Sequence, residues 1–307
     1  MKKIPVGATI AHAYGFAFGH ALTVFKAIWL PLLAQLALLL LLTRRMALFQ
    51  VAMQAHDPSA VNLFGPVLLL FPLVVIFFFA QFTAATEAAL GHPPQAWLTF
   101  HFGKPMWRLT GSFIAALAVI VVIYLLYFAA MYALGALAAA TLKTPISAGT
   151  ARVVFVLTAA AAFLAGLGIM ALVMIRFMFL LAPVSISEQK GLRRSWELSR
   201  GNFWRAFWIT LAIVLPVVII NYGYAFSLVG LPPLSATMSK EAREAAEMAW
   251  RVAQFNALAD RWYVTLPVTG ILMLFQFGAG CAAQAFAYRA LTESDAPPPF
   301  ACGGVLD

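Results

Sequence analysis

Charge is what this chain has least of. Asp, Glu, Lys and Arg together make up 10% of its 307 residues, against about 25% in ordinary soluble domains. Too few charged side chains remain to cover a water-facing surface, which excludes a soluble globular fold. Acidic residues are scarcer still, 11 against 20 Lys and Arg. Clustered carboxylates for metal binding or acid–base work are absent, as are a nucleophile–base pair and a phosphate-binding loop. The five histidines, His12, His20, His56, His92 and His101, show neither HxxxH nor HExxH spacing, so no metal site and no cofactor is expected. Cysteine is limited to Cys281, in an apolar run, and Cys302, near the C-terminus. Those settings argue against a structural disulfide and leave the redox compartment open. The chain reads as non-enzymatic.

What is there is hydrophobic side chain, 63% of the residues, much of it in uncharged runs longer than the roughly 18 residues that mark a membrane span. Six such spans can be read, at about 22–42, 61–85, 109–142, 153–176, 203–229 and 262–288. The first stops at Arg44 and Arg45 and the fourth nears its end at Arg176. The third is longer than a bilayer of roughly 30 Å requires, so it must tilt, kink or protrude. The opening MKKIPVGATIAHAYGFAFGHAL makes a poor secretory signal, because His12, Gly15, Gly19 and His20 interrupt its apolar stretch.

The formal charge of +9 sits beside the hydrophobic spans, which points to anionic lipid headgroups and away from nucleic acid. With six spans, one side holds Lys2, Lys3, Lys26, Lys104, Arg108, Lys190, Arg193, Arg194, Arg200, Arg205 and Arg289. The other holds Arg44, Arg45, Lys143, Arg152, Lys240, Arg243, Arg251 and Arg261. The bias places both termini in the cytoplasm. The connection between spans five and six is the one large outer loop. Its Met248, Val252, Phe255, Ala259 and Trp262 recur at helical spacing, as on a helix resting against the bundle, a lid or a docking surface. Residues 1–292 form the membrane domain, and 293–307, rich in proline and glycine, read as a disordered tail.

A short pattern recurs: FGHALTVF from Phe18, FGKPMWRL from Phe102 and RGNFWRAF from Arg200. Each places a glycine and a polar residue just before an odd-numbered span. Gly19, Gly103 and Gly201 are expected to end a surface helix in the left-handed conformation, with Asn202 capping the next helix. The expected architecture is therefore all-α, with three quasi-repeats of surface helix–span–span over 8–92, 93–187 and 188–292.

The third copy is the most informative. Between Glu188 and Trp208 lie Lys190, Arg193, Arg194, Arg200 and Arg205, with Trp196, Trp204 and Trp208 interleaved. Leu192, Trp196, Ser199, Phe203 and Phe207 share one helical face. Indoles suit the headgroup zone, and each basic residue near an anionic leaflet adds roughly 1 kcal/mol of attraction. Arg193 and Glu197, and Glu197 and Arg200, are spaced for local ion pairs. Arg176 is the lone basic residue in an apolar stretch; it either snorkels to the boundary as an anchor or contacts a headgroup phosphate. Pro183 is expected to bend the chain toward the surface helix.

The run IRFMFLLAPVSISEQKGLRRSWELSRGNFWRAF, from Ile175, resembles the membrane domain found with some bacterial glycerophosphoryl diester phosphodiesterases. Arg176, Pro183, Glu188, Gly191, Ser195, Trp196, Leu198, Gly201, Asn202 and Trp204 carry the likeness, and AFAYRAL from Ala285 adds to it. The resemblance implies a membrane domain of the bacterial inner membrane and not the catalytic barrel, whose acidic and histidine motifs are missing. It also implies other membrane proteins or a phosphodiesterase-like protein as partners, beside anionic lipids. The candidate headgroup or partner contacts are Arg176, Arg193, Arg194, Trp196, Arg200, Trp204 and Arg205. A transporter or lipid-translocating protein is the alternative, resting on Asn221, Tyr222, Tyr224, Gln276 and Gln284 within spans, which equally suit interhelical hydrogen bonds.

Overall fold

The computed structural model describes residues 2–55, 57, 60–92, 97, 102–141, 165–166, 168–188, 191–230 and 239–292. Among the described residues there are helices and no strands. The order is α1 (Val6–Gly19), α2 (Ala21–Gln54), α3 (Ala60–Ala89), α4 (Lys104–Thr141), α5 (168–178), α6 (Leu181–Ser187), α7 (Leu192–Ser199), α8 (Phe203–Val229), α9 (Lys240–Asp260) and α10 (Trp262–Thr292). Six helical segments are long and apolar enough to cross a membrane: α2, α3, α4, α5 with α6, α8 and α10.

Backbone satisfaction explains why helices dominate. In hydrocarbon no water is available for a bare N–H or C=O, and a helix pairs its own. Five prolines lie inside the long helices: Pro31, Pro66, Pro72, Pro216 and Pro267. Gln81 ties α3 to α2, donating to the Pro31 carbonyl at 3.4 Å and to Gln35.

The first span differs from the sequence expectation. Its helix does not stop at Arg44 and Arg45 but runs on to Gln54. Arginine is a good helix former, so a charged pair marks where water begins and not where hydrogen bonding ends.

Burial is uneven along the bundle. The main core joins α1, the first half of α2, the last turns of α3, α6, the start of α8 and the last half of α10. There Ile4, Ala13, Ile28, Ala84, Leu180, Ala206, Ile209, Ala279 and Ala287 are fully or almost fully buried. Small residues, Ala13 and Ala17 of α1 with Ala279 and Ala283 of α10 among them, suit the close packing of these two helices. A smaller core seats α4 on α3 and α6 through Phe79, Met106, Leu109, Ala116 and Leu181. Away from this end the helices show large apolar side chains outward, such as Leu69, Phe71, Leu125, Leu126 and Ile219. That is the surface expected where lipid replaces water.

The expected outer helix is α9, capped by Ser239, whose Oγ accepts from the Ala242 N–H at 3.2 Å. It lies against α2 and α8, with Ala259 buried and Val252 and Phe255 half-buried. Met248 is exposed and Trp262 belongs to α10, so the covered stripe is shorter than the spacing suggested.

Candidate functional site at the α7 end of the bundle

Pro183 organises this end. Its ring would clash with the carbonyl four residues earlier, and it has no N–H to donate. The fourth span breaks into α5 and α6 at residues 179–180, leaving Pro183 in the first turn of α6, where a missing N–H costs nothing. The break exposes carbonyls at the end of α5, and α7 supplies their partners. Ser195 Oγ donates to the Phe177 carbonyl at 2.9 Å and Ser199 Oγ to the Arg176 carbonyl at 3.0 Å. Both serines are fully buried, four residues apart on one face of α7. Two serine hydroxyls, one of them Ser199 of the stripe read from the sequence, therefore pin this helix down beside the packed Leu192 and Trp196.

The same clasp brings Arg176 against Trp196, the guanidinium 3.7 Å from the ring centroid. Phe177 packs on the other ring contact of Trp196 at 4.7 Å. A stack of this kind is worth about 2 kcal/mol when desolvated. Arg176 Nε is buried without a hydrogen-bond partner, and the exposed Arg200 follows Ser199, whose hydroxyl meets the Arg176 carbonyl. Among the described residues neither arginine has a carboxylate partner. The two cations thus lie on chain segments that the Ser199 bond joins, Arg176 half-buried and Arg200 exposed.

The other arginines of the segment divide by role. Arg193 is 94% exposed and pairs loosely with Glu197 at 3.0 Å. Arg194 bonds Glu188 at 3.0 Å and approaches Glu197 at 3.9 Å. Glu188 also accepts from the Tyr288 hydroxyl at 3.1 Å, so Arg194 belongs to a structural knot between α6, α7 and α10. The expected Glu197–Arg200 pair does not form among the described contacts. Arg205 donates to the Ile4 carbonyl at 2.6 Å. Trp204 and Trp208 project outward, 66% and 55% exposed.

Asn202 corrects the capping expectation. Its side chain makes no cap bond to α8. Instead Oδ1 accepts from the Ile4 N–H at 3.0 Å, and Nδ2 donates to the Lys2 carbonyl at 3.2 Å. The N-terminal segment is thereby strapped across the α7–α8 turn.

The hinge glycines also divide. Gly201 has φ 76° and ends α7 in the left-handed region. Gly19 and Gly103 do not have positive φ. Gly19 is the last residue of α1, and the break falls at His20, which accepts the turn at φ −118°. Among the described residues the other glycines with positive φ are Gly91 and Gly230, which follow α3 and α8. Arg289, in the last turn of α10, donates to the Leu90 carbonyl beside Gly91.

Of the remaining sequence candidates, Tyr224 shares a hydrogen bond with Thr265 at 3.0 Å, joining α8 to α10. Asn221 and Tyr222 are exposed. Gln276 and Gln284 line a cavity of about 230 Å³ between α3, α8 and α10, together with Thr210, Phe78, Phe82 and Phe277. Gln284 Oε1 is buried there without a partner. His12 stacks on Phe286 at 4.7 Å; burial, then Arg289, then His20 hold its pKa below the ordinary 6.5. His56 and His101 lie outside the described residues, as do most of 93–101, where the second surface helix is expected, and the tail 293–307. Among the described residues no three His, Cys, Asp or Glu side chains group to hold a metal.

The strap, the serine pins and the Glu188 knot escaped sequence reading because each joins residues far apart in the chain. The four-residue spacing of Ser195 and Ser199 was the one local signal, and it is ambiguous without knowing what lies opposite. Compared with protein-family models, curated proteins and solved structures, the chain matches none.

Proposed function

We propose that this protein is a non-enzymatic module of the bacterial inner membrane whose α7 end faces the cytoplasm and holds anionic lipid headgroups. The observation that carries the reading is Arg176 stacked on Trp196, with the exposed Arg200 next to the serine that bonds the Arg176 carbonyl and neither arginine bonded to a carboxylate among the described residues. A fixed cation with an exposed one on the segment bonded to it, flanked outward by Trp204 and Trp208, is the arrangement a phosphate in the headgroup zone would meet. The likeness of the 175–207 run to the membrane domain of glycerophosphoryl diester phosphodiesterases supports a module that also organises partner membrane proteins. The three-unit repeat belongs to the same proposal. Its support is that α1 and α7 are each followed within three residues by a span, α2 and α8.

The test is thermal stabilisation of the detergent-purified chain by phosphatidylglycerol against phosphatidylcholine. Arg194 and Arg205 are engaged internally, so the variant to use is Arg193→Glu with Arg200→Glu. Wild type should be stabilised by the anionic lipid, and the variant should lose most of that gain. Equal stabilisation of both proteins by both lipids sinks the reading.

A second reading, translocation of lipid or solute, is favoured by the cavity holding Gln276 and the unpartnered Gln284 Oε1. Lipid exchange between leaflets of proteoliposomes, faster than in protein-free vesicles and slowed by Gln284→Leu, would support it. An exchange rate equal to protein-free vesicles would remove it.

A further inference from the structure

Between α4, α6 and the start of α7 lies a second polar feature that the arginine surface does not use. Arg108 and Ser112 stand one turn apart on α4, and with Gly111, Ala115, Ser185, Gly191 and Leu192 they line an open depression of about 360 Å³. That volume is within the roughly 300–1,000 Å³ typical of small-molecule sites. Ser185 is 1% exposed, and its Oγ makes no hydrogen bond. A serine in a helix ordinarily donates to the carbonyl one turn back; Ser185 does not, and it lines the pocket. Its hydroxyl is left for something that enters.

The remaining walls say what kind of group would enter. Arg108 has no ion-pair partner among the described residues, and no carboxylate lines the space. The eight-residue α7 begins at the rim with no side chain capping its first N–H groups. A helix start of this kind favours an anion, through its free N–H groups and its dipole. Gly191 keeps the rim open, since a Cβ there would lie 3.0 Å from Ser112 Oγ.

We propose that this pocket binds the phosphate group of a phosphate ester, using the Arg108 guanidinium, the Ser112 and Ser185 hydroxyls and the first N–H groups of α7. A guanidinium fork with converging hydroxyl and N–H donors matches several oxygens around one phosphorus. A lipid is one source, because the α4 face beyond Ser112 exposes Ala115, Ala118 and Val122, a strip along which an acyl chain can lie. A soluble phosphate ester is the other. The inference deepens the lipid-binding proposal but does not depend on Arg193 or Arg200.

Native mass spectrometry of the full chain in detergent tests it, with phosphatidylglycerol, diacylglycerol and glycerol 3-phosphate as probes. One phosphatidylglycerol should be retained per chain, and Ser185→Ala and Arg108→Gln should each weaken it at least about tenfold. Melting temperatures near wild type show that both variants are folded. Binding of glycerol 3-phosphate as tight as the lipid supports the phosphate site and assigns it to a soluble ester. Unchanged phosphatidylglycerol binding in both variants, or equally tight diacylglycerol, overturns the proposal. Arg193→Gln with Arg200→Gln should leave this one lipid in place, so failure of the surface reading and failure of the pocket are separable.

Discussion

Asn202 shows how one buried side chain can hold a terminus. At 2% exposure it accepts from the N–H of the buried Ile4 and donates to the carbonyl of the exposed Lys2. Replacing it with alanine strands the Ile4 N–H, at a cost of about 1–3 kcal/mol. Asn202→Ala should therefore lower the melting temperature, while Asn202→Asp, which keeps the acceptor for Ile4, should cost less; equal losses would contradict the two-point strap. His12 makes a pH prediction. Its pKa in the folded protein is held below 6.5 by burial, Arg289 and His20, so the unfolded chain binds the proton more readily. Its neutral form contributes stability above 6.5, and that contribution is lost as the pH falls through the folded value. The melting temperature should drop on acidification below about pH 6.5, with a shallower slope in His12→Phe. An identical slope would show that His12 is not the group responsible.

Among elements, α7 is the shortest whose ends are both informative. Two serine hydroxyls tie it to carbonyls that Pro183 helps to free, at about 1 kcal/mol each, and Gly201 closes it. A left-handed residue with a Cβ costs roughly 1–2 kcal/mol. Gly201→Ala should destabilise by about that much, whereas Gly19→Ala, at a position without positive φ and with nothing within 4 Å of the added Cβ, should stay within about 0.5 kcal/mol. Comparable losses at both glycines would restore the idea of one hinge used repeatedly. The contrast also shows where sequence reading stops. A glycine before a polar residue looks alike at Gly19, Gly103 and Gly201, yet conformation depends on what the next element packs against. α1 lies along α10 and α8 with Thr9, Ala13, Phe16 and Ala17 buried, so its exit is set by tertiary contact.

For the whole molecule, hydropathy found long apolar segments because lipid demands them; the fifth, Phe203–Val229, has the same limits in the sequence and in the structure, whereas the fourth, expected to near its end at Arg176, is described over Gly168–Ser187. What hydropathy could not supply was which end packs tightly. That depends on small residues such as Ala279, Ala283 and Ala287 on α10 meeting α1 and α3, and alanine looks alike whether it faces lipid or a neighbour. The arginines were legible as a cluster but not as individuals: Arg194 and Arg205 turn inward to Glu188 and Ile4, Arg193 and Arg200 turn out. Orientation is testable at this scale. With both termini cytoplasmic, and with Cys302 replaced by serine, Arg193→Cys should react with an impermeant thiol reagent only in inside-out vesicles and Arg251→Cys only in intact spheroplasts; the reverse pattern would invert the molecule. The most direct measurement of the central claim is the lipid composition around the protein. Membranes of mixed phosphatidylglycerol and phosphatidylethanolamine are captured in nanodiscs with the full chain, and their lipids are counted by mass spectrometry. Phosphatidylglycerol should be enriched over the bulk with wild type and lose most of that enrichment with Arg193→Glu and Arg200→Glu, whereas a bulk ratio with wild type would contradict the account.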